Sequence, residues 1–106
     1  TLNYIANSYN YIKNIETGIM DIISTEEVKN ADHIYIFGDA DEVQELITNK
    51  LTHLNINYTR YDTIESLMNT INNNGNETHI TITWDTENID NLTKNNIPHI
   101  NIFKHF

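Results

Sequence analysis

Carboxylates crowd one junction of this chain: Asp39, Asp41 and Glu42 follow Gly38 directly after the apolar run His33-Ile34-Tyr35-Ile36-Phe37. A strand running into a turn and a helix start is where an open α/β sheet holds its ligand, at the carboxyl ends of its strands. The free N–H groups of such a helix start ordinarily attract an anion such as phosphate. Here the chain places negative charge there itself. A fourth carboxylate, Asp85, follows the later run Thr78 to Trp84. The first and third strands of such a sheet are neighbours, so Asp39, Asp41, Glu42 and Asp85 could share a cation; alternatively they cap and charge-complement helix starts.

The elements that must position these groups follow from periodicity. The strand His33 to Phe37 is apolar on both faces, as expected of a central strand covered by helices on both sides. Val43, Leu46, Ile47, Leu51 and Leu54 keep helical spacing from Asp41 to Leu54, with Asp39 and Glu42 as a cap pair at the start. A short strand near Ile56 to Tyr61 comes next, then a helix carrying Ile64, Leu67, Met68 and Ile71, and the turn Asn72 to Asn76. Thr78 to Trp84 reads as a third strand, a weak helix holds Ile89 and Leu92, and Asn95-Asn96-Ile97-Pro98 turns the chain into a last strand, His99 to Phe103. Before all of this, Leu2, Ile5, Tyr9, Ile12, Ile19 and Ile23 form a helical seam interrupted by Glu16 and Gly18. Gly18 and the cap-forming Asn14 leave one long helix and two shorter ones equally open. Ser24-Thr25-Glu26-Glu27 has capping-box spacing and should start one more helical turn to Ala31. Alternating strands and helices imply an α/β three-layer sandwich with a four-stranded parallel sheet, order 2-1-3-4, flanked by helices. It forms a single domain over residues 1–106, with residues 1–30 as an N-terminal helical segment packed on the core.

Composition narrows the function classes. The net charge is −9 with six Lys and Arg, which argues against direct contact with nucleic acid or docking on an anionic membrane. There is no Cys, hence no disulfide framework and no cysteine-ligated zinc. No apolar run approaches a membrane span and no signal-peptide pattern opens the chain, so a cytoplasmic protein is expected. Thr1 fits removal of an initiator Met and fits a piece of a longer protein equally well.

Taken in order, Ala31 to Gly38, Lys50 to Ile56, Ile80 to Thr83 and Ile97 to Ile102 have the arrangement of a SIS (sugar isomerase) domain, which the chain resembles over nearly its whole length. With its preceding helices it is most similar to the phosphosugar-sensing domain of RpiR-type transcription regulators. The resemblance implies a ligand crevice at Gly38, Asp39, Ala40 and Glu42, opposite Thr83, Asp85, Thr86 and Glu87. The family's Gly-x-Gly-x-Ser stands here as Gly38-Asp39-Ala40-Asp41-Glu42, and its Ser-x-Ser-Gly-Glu-Thr as Thr83-Trp84-Asp85-Thr86-Glu87-Asn88. Two serine donors have become the carboxylates Glu42 and Asp85, which accept hydrogen bonds, cannot donate them, and repel a dianionic phosphate. The resemblance therefore implies a non-catalytic ligand-sensing and dimerisation domain with a degenerate or altered phosphosugar site. Its partners would be a second copy and a sugar-derived small molecule, with neither metal nor cofactor.

The competing reading is a small metal-dependent phosphatase-like or phosphotransfer domain. Asp39-x-Asp41, with Thr83 as a later hydroxyl, resembles the Asp-x-Asp signature of haloacid-dehalogenase-like phosphatases. Against it, Gly38 separates Asp39 from the strand, nothing after Asp90 is acidic, and Lys104 is the one cation expected near a strand's carboxyl end. His33, His53, His79, His99 and His105 show no metal spacing, and His33, His79 and His99 fall at strand beginnings, away from the crevice. Trp84 stands beside the crevice and is expected to pack in the core or at an interface. The N-terminal seam and an uncovered last strand, carrying Ile100, Ile102 and Phe103, point to a homodimer.

Overall fold

The computed structural model of the chain describes the backbone of residues 2–105 and the side chains of residues 12–103. Its elements are α1 (Leu2–Ile23), α2 (Glu26–Lys29), β1 (His33–Phe37), α3 (Glu42–His53), β2 (Thr59–Tyr61), α4 (Ile64–Asn73), β3 (His79–Thr83), α5 (Thr86–Lys94), β4 (His99–Asn101) and a closing 3₁₀ turn, Ile102–His105. All strands pair in parallel in the order β2-β1-β3-β4, the expected α/β topology. The chain steps from β1 outward to β2 and then back over to β3, so the crevice between β1 and β3 is the topological switch point.

Both faces of the central strands are covered because their sequences are apolar or small on both. Ile36, Ile80, Ile82 and Trp84 join Ile15, Ile19 and Ile22 of α1, Ile47 and Leu51 of α3, and Ile102 in one core. Tyr35 and Phe37 join Leu67 of α4, Leu92 of α5 and Ile97 in the other. Thr81 and Thr83 are fully buried on that second face. Two helix ends are punctuated by Asn in place of Gly, while α4 is followed by Gly75 at φ +63°. Asn55 and Asn96 take positive φ, +60° and +57°, directly after the C-caps of α3 and α5. The next amides close back, Ile56 N–H onto Leu51 C=O at 2.9 Å and Ile97 N–H onto Leu92 C=O at 3.0 Å. This is the Schellman arrangement, with its apolar contact between the closing residue and the last turn.

Several local expectations need correction. Of the two possibilities left open for the first segment, one continuous helix is the one formed, and Asn14 is an exposed interior residue. Its buried stripe is Ile15, Gly18, Ile19 and Ile22, so Gly18 lies on the packed face; Ile12 is 36% exposed and Ile23 half-buried. The seam residues Leu2, Ile5 and Tyr9 lie outside the described side chains. Helix α2 is capped by Thr25, whose oxygen accepts from Val28 N–H; Ser24 donates back to Met20 C=O at 2.9 Å, which withdraws it from the cap. Helix α3 is capped by Asp41, not by Asp39 paired with Glu42. The last strand ends at Asn101, and Ile102 turns inward to complete exposure loss in the core beside α1, so the apolar surface expected along that strand is partly covered within the chain. No described helix is long and apolar enough to cross a membrane.

Candidate functional site

Each loop that leaves a carboxyl strand end closes with a capping side chain, and this decides what the carboxylates do. Asp41 ends the β1–α3 loop in extended conformation and its Oδ1 accepts Gln44 N–H at 3.0 Å. Asp85 ends the β3–α5 loop; its Oδ1 accepts Asn88 N–H and its Oδ2 accepts Asn88 Nδ2, both at 2.8 Å. A capping carboxylate satisfies helix N–H groups that would otherwise await an anion.

Between these two caps the crevice is filled by Trp84. The indole is only 4% exposed, and its Nε1 donates to Asp41 Oδ2 at 3.3 Å. Beneath it lies Gly38, buried and at φ +153°. A Cβ on Gly38 would sit 2.5 Å from Trp84 Cζ2, 2.7 Å from Trp84 Cη2 and 2.8 Å from Asn88 Nδ2. The glycine is therefore required by the ring that covers it as much as by its own backbone. Thr83, fully buried, spends its hydroxyl on Phe37 C=O at 2.9 Å, tying β3 to β1 at the same level.

Of the residues assigned to a crevice from sequence, the structure brings Gly38, Thr83 and Asp85 to one place. Asp39, Ala40, Glu42, Thr86 and Glu87 are exposed around it, and Asp39 joins the bonding through its carbonyl, which accepts Asp41 N–H at 3.0 Å. Among the described residues, no three His, Cys, Asp or Glu side chains converge closely enough to hold a metal ion. Four surface clefts, of about 340, 320, 380 and 110 Å³, have no lining residue among those eight.

Two participants escape a reading of the sequence. Trp84, expected beside the crevice and packed in the core, is found there; that its ring lies on Gly38 depends on which way it turns. Asn88 is nine-tenths buried; its spacing from Asp85 is the local signal that could have flagged it. Arg60 occupies the penultimate position of β2, paired with Ile36 of β1, so a cation does stand near a strand's carboxyl end besides Lys104, whose side chain lies outside the described set. Its Nε and Nη2 are buried without a hydrogen-bond partner. No protein-family model, curated protein or solved structure matches the chain.

Proposed function

We propose that this chain is a non-catalytic regulatory module of the SIS type, akin to the sensing domains of RpiR-type regulators, whose phosphosugar crevice has been closed from within while self-association is retained. The observation that carries the reading is Trp84 seated on Gly38 at the β1–β3 switch point, where a sensing domain would receive its ligand. The hydroxyl a phosphatase-like site would use, Thr83 Oγ1, is bonded to Phe37 C=O, and Asp41 and Asp85 are engaged as caps. Self-association is supported by α1: Ile12 and Met20 remain 36% and 43% exposed beside its buried stripe, and the apolar seam continues in the sequence through Tyr9, Ile5 and Leu2.

The test has two arms. Trp84 is the only tryptophan, so its fluorescence reports the crevice. Titration with glucosamine 6-phosphate, N-acetylmuramic acid 6-phosphate and ribose 5-phosphate should give no saturable change below millimolar concentration. Loss of two charge-assisted hydrogen bonds, about 1.5–3 kcal/mol each, carries a micromolar site to about millimolar or weaker. A micromolar Kd for any of the three overturns the closed crevice. Sedimentation at tens of micromolar should show a dimer that Met20→Glu weakens; monomer alone overturns the self-association.

A further inference from the structure

Asn74 is the one asparagine in this chain that a glycine follows, since Gly18 comes after Thr17 and Gly38 after Phe37. Such a pair carries its own chemistry. The backbone nitrogen of the second residue can attack the side-chain amide of the first, and a glycine, having no Cβ, leaves that approach open. Asn74 caps the C-terminus of α4 at φ −83° and ψ −4°. Gly75 stands at φ +63°, with nothing beyond its chain neighbours within 4 Å of where a Cβ would be. Its N–H has no acceptor among the described residues. The nucleophile is free, and the amide it would attack is held: Asn74 Nδ2 donates to the Tyr35 hydroxyl at 2.6 Å. Tyr35 is only 2% exposed, in the middle of β1.

We propose that Asn74 is a self-modification site guarded by Tyr35: intramolecular attack by Gly75 deamidates it, and opening of the Tyr35–Asn74 hydrogen bond sets the rate. The Gly75 nitrogen gives up its proton to water and bonds to Asn74 Cγ, the Cγ–Nδ2 bond breaks, and Nδ2 leaves as ammonia. A five-membered succinimide remains. Water opens this ring at either carbonyl, giving aspartate when the bond from nitrogen to Cγ breaks and isoaspartate when the bond from nitrogen to the former backbone carbonyl carbon breaks.

The fold opposes ring closure in two ways. The backbone at Asn74 must rotate out of its helical ψ, which disturbs a turn in which the Asn74 carbonyl accepts Glu77 N–H at 3.3 Å. The amide must also leave Tyr35, taking a donor from a buried hydroxyl. The two products then differ at that hydroxyl. Aspartate keeps a side-chain oxygen facing Tyr35, and a phenol donates as well as accepts, so the link survives with its direction reversed. Isoaspartate routes the main chain through Cβ and Cγ: the atoms that faced Tyr35 join the peptide to Gly75, and the carbonyl that took Glu77 N–H becomes a free carboxylate. The bond between β1 and the end of α4, which spans 39 positions, is severed. Both products add negative charge at the C-terminus of α4, against its dipole, so a difference between them belongs to the backbone.

Peptide mass mapping of the whole chain during incubation at pH 8 and 37 °C tests the guard. In guanidinium chloride Asn74 should be the first asparagine to gain one mass unit, at equal rates in wild type and Tyr35→Phe. In buffer the wild type should react more slowly than its unfolded form, and Tyr35→Phe about 2- to 12-fold faster than the wild type, the factor one hydrogen bond contributes. Equal folded and unfolded rates in the wild type overturn the proposal, as does another asparagine reacting first in guanidinium. So does a folded Tyr35→Phe that gains no mass at Asn74 or reacts less than twofold faster than the wild type. If that variant does not fold, the wild-type Asn74 side-chain NH2 protons decide: they should exchange with water more slowly than those of the exposed Asn72 and Asn73, and ordinary exchange overturns the guard. The isoaspartyl fraction of aged protein should melt below Asn74→Asp; equal melting temperatures overturn the severed link.

Discussion

Replacing Gly38 by Ala tests the plugged crevice most directly, because the new methyl must collide with the ring that makes the plug. The Cβ would lie 2.5 and 2.7 Å from two indole carbons and 2.8 Å from Asn88 Nδ2, far inside van der Waals contact. Trp84 is 4% exposed and part of the core, so it cannot simply tilt into solvent. Overpacking of this kind costs about 1–3 kcal/mol. The backbone at φ +153° adds about 1–3 kcal/mol for any residue with a Cβ. The total, about 2–6 kcal/mol, is a large part of the roughly 5–15 kcal/mol that stabilises a domain.

The two parts separate in a double-mutant cycle with Trp84→Leu, which removes the colliding ring carbons and leaves the backbone strain. Urea denaturation followed by far-UV circular dichroism gives each free energy as midpoint times slope. Gly38→Ala should cost about 1–3 kcal/mol less in the Trp84→Leu background than alone. A coupling below about 0.5 kcal/mol, the level expected of independent sites, would refute the contact and with it the closure of the crevice by Trp84.

Two further outcomes follow from the hydrogen bonds. Asp41→Ala and Asp85→Ala should each lose about 1 kcal/mol in the same urea assay, as caps do, while the exposed Asp39→Ala stays within about 0.5 kcal/mol of wild type; a larger loss at Asp39 would restore it to a structural or ligand-holding role. Thr81→Val and Arg60→Met should leave stability unchanged or raise it, by up to about 1 kcal/mol for Thr81, since the Thr81 hydroxyl and two Arg60 nitrogens are buried without partners and removing an unpaired polar group relieves its desolvation. A loss above 1 kcal/mol at either position in urea midpoints would mean that the group has a partner after all.

The sheet order was legible because the signals were redundant. His33 to Phe37 is apolar on both faces, and each crossover helix carries its own apolar stripe and its own capping residue. Where the local chemistry offered alternatives, the choice lay elsewhere in the fold. Asp39 and Asp41 are both competent caps, and Asp41 is the one that also holds the indole of a tryptophan 43 residues away. Ser24 and Thr25 compete in the same way, and Ser24 is drawn back onto Met20. The run His99 to Phe103 has an alternation that a strand and an inward turn share, and contact with the α1 side of the core brings Ile102 inward. At the site, the carboxylates were visible as residues and their engagement was not, since capping depends on loop geometry and plugging on a rotamer.

The engaged bonds bear on affinity independently of charge. A binding site keeps donors free for its ligand, yet at this crevice Thr83 Oγ1, Trp84 Nε1 and Asn88 Nδ2 already have acceptors within the chain. An entering phosphate must first move Trp84, and exposing a buried aromatic side chain costs about 3 kcal/mol. A competent state that lies 3 kcal/mol above the closed one is populated at about 0.6%, which weakens the apparent Kd by more than a hundredfold. Asp85 and Glu42 then repel the anion that does enter. The two obstacles multiply, so removing the ring alone would open a cavity without creating a phosphate site, because Glu42 and Asp85 offer carboxylates and no donors at its rim. A filled crevice and an acidic rim are thus mutually compatible, because a crevice that admits no anion can carry carboxylates on its rim as helix caps and an indole on its floor.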